Sequence, residues 1–192
     1  MRRILVLDNY DSFTYNLVHI LRELGYDDSM DIYRNDKIEL SAVDQYSDIL
    51  LSPGPGLPSS AGIMPELISK YGSTKNILGV CLGHQAIGEA YGGTLFNLPI
   101  VYHGVTTEIE TNGNDRLFNS IPERFTVCRY HSWVVSPEAL PSDLEVLSTD
   151  DQGRIMAVKH KKYSVRGVQF HPESIMTEYG TKMISNWLDT SL

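Results

Sequence analysis

The chain has only two cysteines, Cys81 and Cys128, far apart and without a C-x-x-C pair, which excludes a disulfide framework and a zinc ribbon. Two free thiols suit a reducing compartment, and a cytoplasmic location is expected. Long apolar runs are missing as well. After Arg2 and Arg3 only Ile4 to Leu7 precede Asp8, too little for a signal-peptide core. Nowhere do about 18 apolar residues follow one another, so no membrane span is expected. Basic residues are outnumbered 16 to 24, and the net charge of −8 argues against affinity for a nucleic-acid backbone. Neither a Walker loop nor GxGxxG occurs, which removes the usual cradles for phosphates and dinucleotides. What remains is an ordinary globular composition, 42% hydrophobic and 21% charged, in 192 residues. That length and mixture predict one domain, 1–192, with no linker or internal repeat.

Ile4-Leu5-Val6-Leu7 is a continuous apolar run of the kind buried on both faces, and Asp8 to Ser12 supplies turn and capping residues. The helix that follows places Phe13, Leu17, Ile20, Leu21 and Leu24 on one face and stops at Gly25. Asp31 to Tyr33 reads as a weak strand, and Asp48 to Leu51 and Asn76 to Val80 as stronger ones, with helical stretches at 65–71 and 82–91. This alternation predicts an α/β fold: an open, doubly wound, mostly parallel sheet with helices on both faces and ligand sites beyond the carboxyl ends of its strands. The second half is β-rich, with short segments at 94–110, 126–135, 145–148, 154–159 and 164–170. A closing helix near Glu178 to Leu188 turns Met183, Ile184, Trp187 and Leu188 inward.

Gly79-Val80-Cys81-Leu82-Gly83-His84-Gln85 ends a buried strand and opens a helix. Its G-x-C-x-G shape is a nucleophile elbow with sulfur in place of the serine oxygen, the glycines relieving crowding at the sharp turn. A helix N-terminus favours an anion, which lowers a thiol from about 8.5 into a range of roughly 3.5–7.5. The plainer alternative is a buried structural cysteine between turn glycines. A nucleophilic thiol wants a histidine base, and the base a carboxylate. Val168-Gln169-Phe170-His171-Pro172-Glu173 offers both: His171 at a strand end, and Glu173 two residues on, on the same side of an extended chain. Ser52-Pro53-Gly54-Pro55-Gly56 presents backbone N–H groups at Gly54 and Gly56 in a rigid loop, which suits an oxyanion hole. His19 reads as structural on the first helix, and His160, between Lys159 and Lys161, as solvated. Cys81, His84 and His171 are zinc-ligand types without zinc-ligand spacing, so no metal is expected.

Five motifs in order resemble the class I, triad-type glutamine amidotransferases: Leu7-Asp8-Asn9-Tyr10-Asp11-Ser12-Phe13-Thr14-Tyr15-Asn16, Ser52-Pro53-Gly54-Pro55-Gly56, Gly79 to Gln85, Arg129-Tyr130-His131-Ser132 and Gln169-Phe170-His171-Pro172-Glu173-Ser174. The opening motif narrows the resemblance to the component II subunits of anthranilate synthase and aminodeoxychorismate synthase. It implies a flavodoxin-like sheet and three catalytic residues: Cys81 attacking L-glutamine, His171 shuttling the proton and Glu173 orienting His171. It implies an oxyanion held by the N–H groups of Gly54 and Leu82, and a glutamine site lined by Pro53, Gly56, Gln85, Ser132 and Trp133. His131 is expected to position that pocket. The implied partner is a chorismate-using large subunit, anthranilate synthase component I or, alternatively, aminodeoxychorismate synthase component I, or one chain serving both. No cofactor is implied on this chain, with Mg2+ expected on the large partner. Val105 stands where a lysine is frequent and Trp133 where a smaller aliphatic residue is usual. These departures bear on the partner contact and the pocket rim. A stand-alone thiol hydrolase and a scaffold without chemistry are the readings from other classes, the latter opposed by the intact Cys81, His171 and Glu173.

Overall fold

The computed structural model describes residues 2–113 and 115–189. Its first half alternates as expected: β1 (Ile4–Asp8), α1 (Thr14–Glu23), β2 (Met30–Arg34), β3 (Asp48–Leu51), α2 (Met64–Tyr71), β4 (Asn76–Val80) and α3 (Leu82–Ala90). The second half is strand-rich: β5 (Leu95–Asn97), β6 (Val105–Thr111), β7 (Arg124–Arg129), β8 (Trp133–Val135), β9 (Leu144–Asp150), β10 (Ile155–His160), β11 (Val165–Val168) and the closing α4 (Gly180–Leu188). Nine strands make one sheet in the order β2-β1-β3-β4-β11-β10-β9-β6-β7, and β5 pairs with β8 apart from it.

The run Ile4 to Leu7 is buried on both faces because the two faces carry different helices. Ile4 and Val6 join a core with Leu17, Val18 and Leu21 of α1 and with Met183, Ile184 and Trp187 of α4. Leu5 and Leu7 face the opposite core, with Leu67 and Ile68 of α2 and Ala86 and Ile87 of α3. The period of two thus divides one strand between two cores. Strands β2, β1, β3, β4 and β11 run parallel, and from β11 outward every pairing is antiparallel. The links between β9 and β10 and between β10 and β11 are four residues each, too short for a crossover helix, so those strands must return antiparallel.

This order places β11 beside β4 in register, Val168 against Val80 and Gly167 against Gly79. The segments leaving both strands therefore emerge side by side at one sheet edge. Among the described residues no helix is long and apolar enough to cross a membrane.

Three expectations need correction. Phe13 is the residue before α1, not part of its inner face, and its ring lies over the segment after β11; Asp8 Oδ1 organises this turn, accepting from Thr14 Oγ1 at 2.9 Å and Asp11 N at 3.3 Å. His19 is on the solvent side of α1, paired with Glu23 at 3.2 Å. His160 is buried, stacked on Tyr163 at 4.3 Å, with Nδ1 accepting from the N–H groups of Lys162 and Tyr163. Gly25 does close α1, in the left-handed region at φ +86°.

Candidate active site

Cys81 sits between β4 and α3 at φ +52°, ψ −98°, a conformation that costs a non-glycine residue of order 1–3 kcal/mol. Glycine on either side makes the turn possible. A Cβ on Gly79 would strike the backbone carbonyl of Gly83, and one on Gly83 would lie 2.7 Å from Leu51 Cβ. The Cys81 N–H donates to Val168 O at 2.8 Å, which ties the elbow to β11.

His171 Nδ1 lies 2.6 Å from Glu173 Oε1, and both side chains are almost wholly buried. The route to this pair is a turn, closed by Ser174 N donating to His171 O at 3.2 Å, rather than the extended chain expected from the i+2 spacing. With Nδ1–H directed at the carboxylate, Nε2 is left toward Cys81, where it makes no directed hydrogen bond in the resting structure. Burial disfavours the charged imidazole, but the interactions with Cys81 and Glu173 outweigh it and raise the His171 pKa well above the ordinary histidine value. The ring is walled by Phe13 at 5.5 Å and Tyr130 at 5.1 Å, both edge-on. Cys128, fully buried, works through its backbone: its carbonyl accepts from His171 N at 3.0 Å, and its N–H donates to Thr177 Oγ1 at 2.9 Å. Thr177 Oγ1 in turn donates to His171 O at 2.6 Å.

The proline-glycine loop is held from below by Asn9, whose N–H donates to Ser52 Oγ at 2.8 Å and whose Nδ2 donates to Ser52 O at 2.8 Å. Only glycine fits at position 54, since a Cβ there would come within 2.6 Å of Asn9 Cβ and 2.8 Å of Leu82 Cδ2. A cavity of about 430 Å³ opens over this loop, lined by Gly54, Gly56, Cys81, Gln85, Ser132 and Trp133 among others. Pro53 is buried beneath the loop and does not line it, and Leu82 contributes the first residue of α3 with its side chain packed on Gly54. Gln85 Nε2 donates to Trp133 O at 2.9 Å, so Trp133 meets α3 through its carbonyl. Val105, at the start of β6, is exposed.

His131 also lines the cavity; burial first, and the charge of Arg129 second, push its pKa down to about 3. His84 packs against Gly167 of β11, and burial lowers its pKa to about 4. Among the described residues no group of three or more His, Cys, Asp or Glu side chains converges as a metal site. Sequence reasoning missed Phe13, Tyr130 and Gln169 as members of the site. Gln169 Nε2 lies 3.6 Å from Cys81 Sγ, and the signals for it were its place between a buried strand and His171 and its membership of the motif Gln169 to Ser174.

A strained thiol on a strand-to-helix elbow, with a histidine–carboxylate pair beside it, defines the class: an α/β protein with the architecture of a thiol hydrolase. The family is narrower. The chain belongs to the class I glutamine amidotransferases, whose sequence profile, Glutamine amidotransferase class-I, matches residues 5–190. It is 43% identical over 189 residues to the aminodeoxychorismate/anthranilate synthase component 2 of Bacillus subtilis, covering 97% of this chain and 96% of that one. It is 44% identical over 191 residues to anthranilate synthase component 2 of Pyropia yezoensis, covering 98% and 100%. It is also 41% identical to the bifunctional protein TrpGD of Thermotoga maritima, of whose length it spans only 32%. Among solved structures it resembles a Thermoplasma acidophilum protein assigned to GMP synthase, with a TM-score of 0.86 and 27% identity, covering 97% of this chain and 92% of that one.

Proposed function

We propose that this chain is the glutaminase component of anthranilate synthase. The observation that carries the chemistry is the Cys81 sulfur at the floor of a cavity lined also by Gly54, with the buried His171–Glu173 pair interacting with that sulfur from outside the cavity wall. The Cys81 sulfur attacks the side-chain carbonyl carbon of L-glutamine while the developing oxyanion is held by the N–H groups of Gly54 and Leu82, each such donor being worth ~2.7–4 kcal/mol in a transition state. The C–N bond breaks as His171 gives its proton to the nitrogen, which leaves as ammonia, and a γ-glutamyl thioester remains on Cys81. Water, deprotonated by His171, cleaves the thioester to glutamate and the free thiol. Glu173 keeps the proton of His171 on Nδ1 and stabilises the imidazolium between steps. Gln85, Ser132 and Trp133 hold the amino-acid end of glutamine.

The ammonia passes to a chorismate-using large subunit, since in neutral water it would be protonated and lose its nucleophilicity. Support comes from relatives of full length at 43% and 44% identity that bear the name of the second component. No cofactor is assigned to this chain, and Mg2+ belongs with the large partner. The double name of the Bacillus subtilis relative favours one specific second reading, a subunit shared with aminodeoxychorismate synthase.

Mixing the protein with each chorismate-using large subunit from its own source, with glutamine and chorismate, tests this. Ortho-aminobenzoate with one partner only is the expected product. Aminodeoxychorismate alone would move the chain to the other synthase, both products would make it shared, and glutaminase turnover indifferent to either partner would make it a stand-alone hydrolase. A second outcome is read on the chain alone: a glutamine-analogue electrophile labels Cys81 and spares the fully buried Cys128, as resolved by peptide mass spectrometry. Equal labelling of the two would contradict an activated thiol at the elbow.

A further inference from the structure

The buried polar groups around the elbow form one chain whose donors and acceptors can be assigned without choice. Arg129 is 1% exposed, can only donate, and gives Nη1–H to Asp150 Oδ2 at 2.8 Å and Nε–H to His131 Nε2 at 3.1 Å. Its guanidinium lies 3.8 Å from the centre of the Tyr102 ring. His131 Nε2 is therefore an acceptor, so the proton is on Nδ1, which donates to Trp133 O at 3.0 Å. That carbonyl also accepts from Gln85 at 2.9 Å, which requires the Gln85 amide nitrogen there. The same nitrogen gives its second hydrogen to Gln169 Oε1 at 3.3 Å. With its oxygen so placed, Gln169 turns its NH2 to Cys81 Sγ at 3.6 Å. The reversed amide would set NH2 against NH2 and an oxygen against the sulfur.

We propose that Gln169 is a catalytic residue of this site, donating to the Cys81 sulfur and holding it as the thiolate, with its amide oriented through Gln85 by the Trp133 carbonyl. The inference rests on the reading of Cys81 as the nucleophile. Two neighbours compete for the sulfur. The Tyr130 carbonyl, 3.9 Å away, accepts only from an S–H and so favours the thiol, whereas the Gln169 N–H is strengthened when the sulfur is ionised. The titratable groups around the sulfur are His171 with Glu173 behind it, Tyr130, His131 and His103 on the cavity wall, and His84 of α3, packed against Gly167 of β11. The Trp133 carbonyl accepts at every pH, so the orientation of Gln85 and Gln169 survives across the working pH range. Gln85 acts on the sulfur only through Gln169 and is a positioning residue in that respect.

The test uses the full chain alone, with iodoacetamide alkylation of Cys81 followed by mass spectrometry between about pH 5 and pH 9. Gln169→Met keeps the length and volume of the side chain and removes the donor. The pH of half-maximal alkylation on the acid side is expected to rise by about one unit, the size of one hydrogen bond to a charged group. In the complex, kcat with glutamine is expected to fall about tenfold with KM changed less than about twofold, a split that a loosened pocket would not produce. Gln85→Met frees the Gln169 amide and is expected to shift the alkylation profile in the same direction by less. If Gln169→Met does not melt cooperatively, the Gln85→Met profile decides. A profile coincident with the parent's in the folded variant overturns the inference and leaves the glutaminase reading standing. A parent chain in which Cys81 is not alkylated at all overturns that reading instead.

Discussion

Replacing Cys81 by alanine abolishes glutamine-dependent product formation by the complex of this chain with its large subunit, and leaves synthesis from added ammonium intact. The loss in the glutamine reaction is expected to reach at least about 10³-fold, because covalent catalysis has no substitute once the sulfur is gone. The change removes one buried atom from an elbow whose shape is set elsewhere. Gly79 permits the close crossing of β4 and α3, Gly83 the approach of α3 to Leu51 of β3, and the Cys81 N–H bonds to Val168 O whatever the side chain. Alanine tolerates φ +52° no better than cysteine and no worse, so the strain is unchanged. The fold, and with it the surface that docks the partner, should persist. Steady-state assays with glutamine and with ammonium separate the outcomes. Retained glutamine activity would remove Cys81 from the mechanism, and loss of both activities would mean that the substitution damages assembly and that the split between ammonia production and ammonia use has lost its support.

The elbow was legible in the sequence because its geometry admits few residues: two glycines where backbones cross and a small side chain at a strained turn can be read from their order alone. The joint placement of Cys81 and His171 was legible for a similar reason, since both follow apolar strands of a parallel sheet. The manner in which Glu173 reaches His171 was not. Pairing at i+2 was expected from an extended chain and arises from a turn, and both conformations are compatible with a proline at 172. His160 shows a different failure. Its lysine neighbours suggested solvent, but the strand is buried on both faces from Ile155 to Val158 and Lys159 itself is mostly covered, so His160 at its end stays inside. His19 fails by the same local habit: Leu17, Val18, Ile20 and Leu21 define the inner face of α1, and residue 19 falls outside it. Gln85, Trp133 and Gln169 meet only in three dimensions, and no local pattern announces a hydrogen-bonded chain among residues so far apart.

The protein is expected to lose several kcal/mol of stability between pH 6.5 and about pH 4, before most carboxylates protonate. His84 is fully buried, burial outweighs the opposing interaction with the Gly167 backbone, and a pKa of about 4 means that the folded state refuses a proton which the unfolded chain takes near 6.5. In that window the unfolded state holds more protons, so stability falls as the pH falls; the gap for His84 alone corresponds to about 3 kcal/mol. His131, at about 3, acts in the same direction. His171 has the opposite sign, its pKa being raised on folding, but its contribution is already complete below 6.5 and is lost only as the pH rises through its folded value. It therefore cannot offset the acid loss. Against a typical total of about 5–15 kcal/mol, two such histidines are enough to bring the chain near unfolding. Urea melts at half-unit steps from pH 7.5 to 4.5 measure the slope. His84→Leu removes the buried titratable ring, whose one polar interaction is with the Gly167 backbone, and should flatten the acid slope by about 1.4 kcal/mol per pH unit, the value of one proton. A parent slope near zero across this range, or an unchanged slope in the variant, would show that His84 does not titrate as a buried neutral group.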